Sequence, residues 1–266
     1  MSVTLRSAAG SDVGRRRPMN QDSAATTPRL LAVADGMGGH AHGEVASAVA
    51  VATLLELDNR LSSADLSQVD LLAELGSSIA AASDRLTALA QQNPDLRGTG
   101  TTVVAFLVDG ARIGVAHIGD SRAYQLRGGD LRQLTRDHTM VQAMVDEGRL
   151  SEREAATHPR RSWLIRTLQE DTTAEPDLFL LEAQLGDRYL ICSDGVTAVL
   201  DDETIGKVLT AVEEPAAAVE QLIELANEGG GPDNITCVVA DVVDRPAPEQ
   251  EEEAAVVVGA AAVAAD

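Results

Sequence analysis

The sequence has 266 residues, of which 42 are acidic and 21 basic, giving a formal net charge of −21. A charge of this sign excludes a free-standing nucleic-acid-binding protein, which needs a basic face to neutralise phosphates. The length suits one large domain or two small ones, and the composition, 44% hydrophobic and 24% charged, is typical of a soluble globular protein.

The apolar segments and the cysteines point to an intracellular protein. The longest apolar stretches fall short of the roughly 18 residues that suggest a membrane-spanning helix, and residues 1–17 lack a signal-peptide core. Cys192 and Cys237 both lie in strand-like runs, so we expect two buried, reduced thiols and no disulfide. These features predict a cytoplasmic location without a membrane span.

The first predicted elements are a strand and two helices. The apolar run at 30–34 ends at an Asp-Gly pair, as a buried strand does where it enters a turn. Residues 44–57 are rich in Ala, Val and Leu and predict a buried helix. Residues 66–92 place apolar side chains at helical spacing, and that helix should end before Pro94.

The rest of the body alternates hairpins with helices. An Asp-Gly pair at 109–110 joins the first two strand candidates of this part as a tight hairpin. A polar, helix-prone segment follows at 140–166. The strand candidates are 101–108, 112–118, 123–127, 179–184, 188–192 and 235–243, and the late helices are 202–211 and 215–227. Because hairpins dominate and helices come in pairs, we expect an α+β sandwich of antiparallel sheets.

The composition changes near residue 244. A Pro-containing stretch at 245–248 leads into an acidic run at 249–253 and then an Ala/Val run at 254–265. Proline and a block of like charge mark linkers and tails. We therefore predict a folded domain over 1–243 and a disordered or weakly helical tail over 244–266.

Four aspartates share one sequence setting, in which an apolar strand gives way to Gly, Ser or Asn. They are Asp35, Asp120, Asp194 and Asp233. A strand end can project a carboxylate at the rim of a rigid sheet, and an adjoining glycine lets the backbone approach a ligand. Each of these positions alone is also a common turn signal. Four in one chain favour a hard oxygen site for Mg²⁺ or Mn²⁺.

The chain resembles the metal-dependent protein serine/threonine phosphatases of the protein phosphatase 2C type, most closely their bacterial branch. The resemblance runs over about 11–243. Its motifs, in the family's order, are SDVG at 11–14, RPMNQD at 17–22, DGMGGH at 35–40, GDSR at 119–122, SDG at 193–195 and GPDN at 231–234. The resemblance implies a four-layer α-β-β-α sandwich of two antiparallel sheets flanked by helix pairs, with metal ions in a cleft at one edge.

The resemblance also implies a set of metal ligands. Asp35 would bridge two ions, and the backbone carbonyl of Gly36 would ligate one of them. Asp194 and Asp233 would complete the shell of the other ion. Asp120, together with Asp194, would hold a third, weaker ion. The implied cofactor is Mn²⁺ or Mg²⁺, with two core ions plus the third site.

Two residues of the segment at 138–166 have a possible role by the same resemblance, because this segment corresponds to the family's mobile flap beside the cleft. Ser162 falls where some members add a ligand to the third site, although a serine at a helix N-cap is an equally good interpretation. Trp163 suits either a substrate-contact platform or an anchor of the flap on the body.

The catalytic groups follow from the same family pattern. Two metal ions about 3.5–4 Å apart activate water for attack on phosphorus, and a guanidinium neutralises the phosphate oxygens. Arg17 matches the family's phosphate-binding arginine. His40 is the leading candidate to protonate the leaving alkoxide, with a water on the metal as the alternative. His117 lies inside a strand and is expected to be a hydrogen-bonded core histidine.

One position departs from the family pattern. The family usually has Glu where this chain has Gln21, and the lost charge would weaken metal affinity or shift metal preference. Asp22 is kept and would orient waters on the metal from outside the ligand shell. We expect activity, because every direct ligand is present.

The leading hypothesis is therefore metal-dependent hydrolysis of phosphoserine and phosphothreonine in proteins, which would reverse Ser/Thr kinase signalling. The expected partners are phosphorylated proteins, among them a Ser/Thr kinase and its targets, and not nucleic acid. The alternative is a non-catalytic pseudophosphatase that regulates a phosphoprotein, supported only by Gln21 and Met37. A hydrolase of other phosphate esters, such as nucleic acid, is disfavoured by the negative charge and the 2% aromatic content.

Overall fold

The computed structural model describes residues 3–38, 42–170, 175–244 and 254–263. The strands are β1 (Val3–Asp12), β2 (Asp22–Thr26), β3 (Leu30–Met37), β4 (Gly100–Thr101), β5 (Val103–Asp109), β6 (Arg112–Ile118), β7 (Arg122–Arg127), β8 (Asp130–Gln133), β9 (Leu168–Gln169), β10 (Asp177–Glu182), β11 (Arg188–Cys192), β12 (Ile235–Asp244) and β13 (Val256–Gly259). The helices are α1 (Gly43–Arg60), α2 (Leu71–Gln92), α3 (Met140–Asp146), α4 (Glu152–Ala156), α5 (Asp194–Thr197), α6 (Asp202–Ala211), α7 (Pro215–Glu228) and α8 (Ala260–Val263).

The strands form two sheets in which every described pairing is antiparallel, as the hairpin pattern predicts. The first sheet has the order β1-β12-β11-β7-β8. The second sheet has the order β10-β6-β5-β3-β2-β13. The short strand β4 also pairs with β3, and β9 pairs with β4. The two sheets lie face to face, so strand ends from both reach a common edge.

Three apolar cores separate four layers, which confirms the α-β-β-α sandwich. Between the sheets, Val33 and Phe106 of the second sheet belong to the same core as Tyr189 of the first. The rings of Phe106 and Tyr189 meet edge to face with centroids 5.6 Å apart. Leu54 is in the core under α1 and α2, and Leu222 is in the core under α6 and α7. Each such buried side chain contributes about 1.5–3 kcal/mol, so both sheets are held on both faces.

Helix α2 shows how local sequence sets the element boundaries. The Asp70 carboxylate accepts hydrogen bonds from the backbone N–H groups of Leu72 and Ala73, at 3.1 and 3.2 Å, a cap that stabilises a helix by about 1 kcal/mol. The helix ends at Gln92, before Pro94 as predicted. Among the described residues, no helix has both the length and the apolar character needed to cross a membrane.

The two cysteines are buried and free, as predicted. Cys192 of β11 lies opposite Cys237 of β12 in the first sheet. Burial raises the pKa of the Cys192 thiol to about 12 and that of Cys237 still higher. Both groups are therefore neutral thiols that pack as small apolar side chains.

The described part of the tail, 254–263, forms a strand that was not expected and then the short helix α8, in line with the weakly helical alternative. β13 pairs antiparallel with β2 and extends the second sheet by one strand. The Ala261 backbone N–H of α8 then donates to Ser23 Oγ at 3.1 Å. A run of valines favours a strand, and the otherwise unpaired edge of β2 offers it backbone partners. The division of the chain into domains at 243/244 stays a prediction.

The docking of β13 on β2 can be tested at Gly259. This residue has φ +76°, and a Cβ added there would overlap the carbonyl oxygen of Asp22. We expect Gly259→Ala to lower the free energy of unfolding by about 2 kcal/mol, because it adds a clash to backbone strain. Urea denaturation measures this loss, and amide hydrogen exchange in β2 should speed up.

Gly128 provides the matched control. It has φ +59° and open space around its Cα, so Gly128→Ala imposes backbone strain alone and should cost about 1 kcal/mol. Equal losses in the two variants, with unchanged exchange in β2, would contradict a docked β13.

Candidate active site

The candidate site lies at the edge where ends of both sheets meet. Asp35 lies near the end of β3, opposite Asp22 of β2. From the first sheet, Asp194 follows β11 as the first residue of α5, and Asp233 precedes β12. Burial, and then the charges of Asp22, Asp194, Asp120 and Asp233, raise the pKa of Asp35 well above its usual range. The four aspartates singled out in the sequence therefore converge, together with Asp22.

The backbone of Asp35 is held on both sides by the Thr101-Thr102 pair. The Asp35 N–H donates to Thr102 Oγ1 at 3.0 Å. Its carbonyl oxygen accepts from the Thr102 N–H and from Thr101 Oγ1, both at 2.9 Å. Both threonines are buried, so the carboxylate projects from a backbone that cannot shift without breaking three hydrogen bonds.

Gly36 lets the end of β3 pack directly on the start of α1. A Cβ at this position would overlap the carbonyl group of Gly43, and the Gly36 N–H donates to the carbonyl oxygen of Gln21 at 3.2 Å. Only glycine fits between these two backbones. The arrangement brings the residues after Asp35 within reach of the 17–22 loop.

Asn234 ties that loop to the aspartates of the first sheet. Its Nδ2 donates to the carbonyl oxygens of Val13 and Met19, both at 2.9 Å, and its Oδ1 accepts from the Gln21 N–H at 2.8 Å. A Cβ on Gly195 would overlap the Asn234 carbonyl oxygen. One amide side chain therefore fixes the position of the loop relative to Asp233.

Arg17 supplies positive charge at the rim of the cluster. Its Nη2 donates to Asp233 Oδ2 at 2.6 Å, and the side chain remains 48% exposed. This hydrogen bond raises the pKa of Arg17, and the charges of Asp35 and Asp194 raise it further. The guanidinium is thus held beside the carboxylates and is open to a ligand from solvent.

Asp120 lies on the flank of the cluster, in the turn after β6. It lines a cavity of about 720 Å³ together with Asp194, Asp137, Arg161 and Ser162. Ser162 precedes no helix within the described residues, so the N-cap interpretation of this serine is wrong. All three residues implied for a third ion by the resemblance, Asp120, Asp194 and Ser162, therefore line one cavity.

The carboxylates of the site carry unbalanced negative charge. Burial, followed by the neighbouring carboxylates, raises the pKa of Asp194 to about 6 and that of Asp120 to about 8. Burial raises the pKa of Asp22 to about 7 although Ser193 Oγ donates to its Oδ2 at 2.7 Å. The other oxygen of Asp22 has no hydrogen-bond partner among the described residues. Such a cluster is stabilised by protons or by a bound cation.

Gln21, the position that departs from the family pattern, is also in contact with a carboxylate. Its side-chain Nε2 donates to Glu44 Oε2 at 3.2 Å. Its backbone carbonyl oxygen accepts from Ser47 Oγ at 2.6 Å. A glutamate at position 21 would face Glu44 with like charge. The amide therefore fits its neighbour in this chain.

The histidines give mixed outcomes. His40 lies outside the described residues. His117 is fully buried, as expected of a core histidine. Its expected hydrogen bond is not confirmed: neither ring nitrogen has a partner with hydrogen-bond geometry in the part of the chain that the structure describes, although the backbone of Ser121 acts on the ring. Burial, followed by the charge of His138, lowers its pKa to about 4, so the ring is neutral at pH 7 and carries one ring proton.

The sequence patterns assign no role to several residues whose hydrogen bonds fix the backbone and the carboxylates of the site. Thr101, Thr102 and Asn234 fix the backbone, and Ser193 bonds Asp22. Asn234 and Ser193 both lie inside the quoted motifs, whereas the two threonines have no signal beyond following Gly100.

The comparisons with known proteins agree with this geometry. A sequence model of the family described as Protein phosphatase 2C matches residues 10–228. The serine/threonine protein phosphatase PstP of Mycobacterium tuberculosis H37Rv is 50% identical over 244 residues, covering 92% of this chain and 46% of that protein. The serine/threonine phosphatase stp of Listeria welshimeri is 34% identical over 236 residues, covering 87% of this chain and 93% of the relative. The chain thus spans about half the length of its mycobacterial relative.

Solved structures show the same architecture. The crystal structure of the M. tuberculosis phosphatase PstP/Ppp superposes with a TM-score of 0.86 at 49% identity, covering 91% of this chain and 100% of that one. The catalytic domain of PstP in complex with two manganese ions superposes with a TM-score of 0.82 at 48% identity, with the same coverage of both chains. With the family model matched over most of its length, the chain belongs to the protein phosphatase 2C family.

Proposed function

We propose that this chain is the catalytic part of a metal-dependent phosphatase that hydrolyses phosphoserine and phosphothreonine in proteins. The observation that carries this proposal is the convergence of buried carboxylates from two sheets beside a half-exposed arginine. Family membership and the 50% identity to a named serine/threonine protein phosphatase support it.

The donor set fits Mn²⁺ or Mg²⁺, which prefer carboxylate and carbonyl oxygens. Asp35, the Gly36 carbonyl, Asp194 and Asp233 are the proposed ligands of two core ions. Asp120, Asp194 and Ser162 are the proposed ligands of a third, weaker ion, and their common cavity supports that assignment. When bound, such ions activate water as a nucleophile and neutralise charge on the phosphoryl group.

Arg17 is the proposed phosphate-binding residue. Its planar guanidinium matches phosphate oxygens with two donors and stays charged at all relevant pH values. The bond to Asp233 aims it at the cluster, while its exposure leaves donors for a ligand. Arg17 would orient the phosphoryl group and stabilise the charge on its equatorial oxygens.

Three nearby residues complete the proposed chemistry. His40 is the proposed proton donor to the serine or threonine alkoxide that leaves. Asp22, held by Ser193, would accept hydrogen bonds from ordered water at the edge of the site. Gln21 would hold Glu44 in place without adding charge.

The proposed partners are phosphorylated proteins, in particular a Ser/Thr protein kinase and its targets, in the cytoplasm. The pseudophosphatase alternative requires a missing ligand, and every proposed ligand is present in this chain. The net charge of −21 does not suit a nucleic-acid substrate.

A phosphopeptide assay tests the proposal. The chain should release phosphate from a phosphothreonine peptide in Mn²⁺ and stop in EDTA. Asp35→Asn should lower kcat at least about a hundredfold, because it removes the charge of the central ligand. Asp84→Asn, a change of an exposed α2 residue that does not line the site cavity, is the matched control and should retain full activity. Turnover that survives both EDTA and Asp35→Asn would refute the proposal.

The stability of the cation-free chain should depend on pH. Asp194, Asp22 and Asp120, with pKa values of about 6, 7 and 8 in the folded chain, titrate near 3.9 when unfolded. The folded state therefore binds more protons, so stability is lost as pH rises through these folded values. The positive groups Arg17 and Arg122 oppose this effect, because both lower the pKa of Asp194. Arg122 also lowers the pKa of Asp120.

Differential scanning fluorimetry measures this dependence. In EDTA the Tm should fall steadily between about pH 5 and pH 8, and saturating Mn²⁺ should flatten the slope and raise the Tm. Asp35→Asn should also make the slope in EDTA shallower, because it removes a carboxyl whose pKa is raised in the folded chain and which therefore binds a proton there. A Tm in EDTA that rises over this range would contradict the account.

A further inference from the structure

Behind the turn that carries Asp120, two histidines and an aspartate form a second polar cluster. Ring nitrogens of His117 and His138 and a carboxylate oxygen of Asp177 lie within 4.8 Å of one another. The two imidazole rings pack together with centroids 4.6 Å apart and a tilt of 33°. Such a cluster is either a cation site or a device that positions its surroundings.

The hydrogen bonds of His138 argue against a cation. The Gly119 N–H donates to His138 Nδ1 at 3.0 Å, so the neutral ring carries its proton on Nε2. With this tautomer Nε2 donates to Asp177 Oδ2 at 3.1 Å. Arg166 Nη1 lies 2.8 Å from Nε2 but is not its hydrogen-bond partner, because both groups are then donors. Burial lowers the pKa of His138, which favours the neutral ring. A cation on Nε2 would face the guanidinium of Arg166.

On one side, His138 forms two hydrogen bonds with Gly119, in the turn before Asp120. Its backbone N–H donates to the Gly119 carbonyl at 2.8 Å, in addition to the bond that Nδ1 accepts. Gly119 has φ +110°, and a Cβ there would lie 2.5 Å from the side chain of Thr102. The turn is therefore confined between His138 and the threonine that also bonds the backbone of Asp35.

On the other side, His138 holds the base of the flap segment, residues 139–165. Its carbonyl oxygen accepts from the Ile165 N–H at 2.9 Å. Its Nε2 donates to Asp177 at the start of β10, and Arg166 Nη2 bonds the same carboxylate at 2.9 Å. Both chain ends of the flap segment are thus fixed to one point of the second sheet.

We propose that His138 is a positioning residue that holds the Asp120 turn through Nδ1 and the base of the flap segment through Nε2. The inference rests on the proposed function, in which Asp120 faces a cation and the flap segment borders the substrate cavity. Asp120 and Ser162 of the flap segment line that one cavity. The His138 ring therefore sets the position of the Asp120 turn relative to the flap segment, and these are two walls of this cavity. It acts through Gly119 and Asp177.

Two substitutions separate the two functions of the ring. In His138→Asn, the side-chain oxygen takes the place of Nδ1 and can still accept from Gly119, but nothing reaches Asp177. In His138→Gln, the terminal amide takes the place of Nε2 and can still donate to Asp177, but the acceptor for Gly119 is lost. Asp177→Asn tests the second contact while leaving the ring intact.

Hydrogen exchange on the cation-free chain is the primary readout, because it requires no activity. In His138→Asn, exchange of amides in 139–165 should speed up about tenfold, the factor expected for loss of one hydrogen bond. The Gly119 amide should keep its protection in this variant. In His138→Gln, exchange of the Gly119 amide should speed up, while the amides of 139–165 keep their protection. Asp177→Asn should give the same exchange pattern as His138→Asn.

Steady-state kinetics provides the second readout. For His138→Asn, KM for a phosphothreonine peptide should rise about tenfold, with kcat on p-nitrophenyl phosphate within about twofold. For His138→Gln, the peptide KM should hold, while the Mn²⁺ concentration needed for half-maximal rate should rise. His158→Ala is the control: the His158 side chain accepts from the nearby Arg160 N–H, so the variant should speed up exchange at the Arg160 amide alone and leave the kinetics unchanged.

The outcomes distinguish the two proposals. An inactive wild-type chain that shows the exchange pattern would refute the proposed function and support the role of His138. An active wild-type chain whose Asn and Gln variants behave alike, or like wild type, would overturn the role of His138.

Discussion

The structure depends on one electrostatic constraint: several carboxylates are buried close together where the two sheets meet. Burial and mutual repulsion raise their pKa values, and those of Asp22, Asp120 and Asp194 reach about 7, 8 and 6. An unpaired cluster of this kind destabilises a fold. It persists here because apolar cores on both faces of both sheets hold the strand ends in place. The stability of the sandwich thus maintains an arrangement that is unfavourable by itself and ready for a cation.

Neutral hydrogen-bonding side chains do most of the positioning at this edge. Thr101 and Thr102 hold the backbone of Asp35, and Asn234 holds the loop that carries Arg17. Because these groups are uncharged, they fix geometry without reducing the negative potential. Arg17 is the cation bonded to a carboxylate of the cluster, and it is half exposed. A net charge of −21 is therefore compatible with the proposed anionic substrate, since Arg17 places positive charge at the rim of the cluster.

How far the sequence predicts this molecule depends on the kind of signal. Asp-Gly turns and apolar runs indicate hairpins and helices, because those patterns are local. The convergence of the aspartates is indicated by the motif set that the chain shares with a known family. β1 is not predicted, because most of its residues are half-buried and its sequence does not alternate between apolar and polar side chains. β13 is not predicted, because the acidic run before it indicates a tail. The surroundings of His117 and the two side-chain contacts of His138 depend on segments that are distant in sequence. No spacing in the chain encodes those contacts.

Cation binding coupled to proton release is the most direct test of the central claim. Mn²⁺ would be titrated into chelator-stripped protein at pH 7 in two buffers of different ionisation enthalpy. The difference in heat gives the number of protons released. Carboxylates with raised pKa values must lose protons when they bind a cation, so we expect release of about one proton or more per chain. Binding without proton release, or no binding, would contradict a carboxylate cluster held in place for a divalent cation.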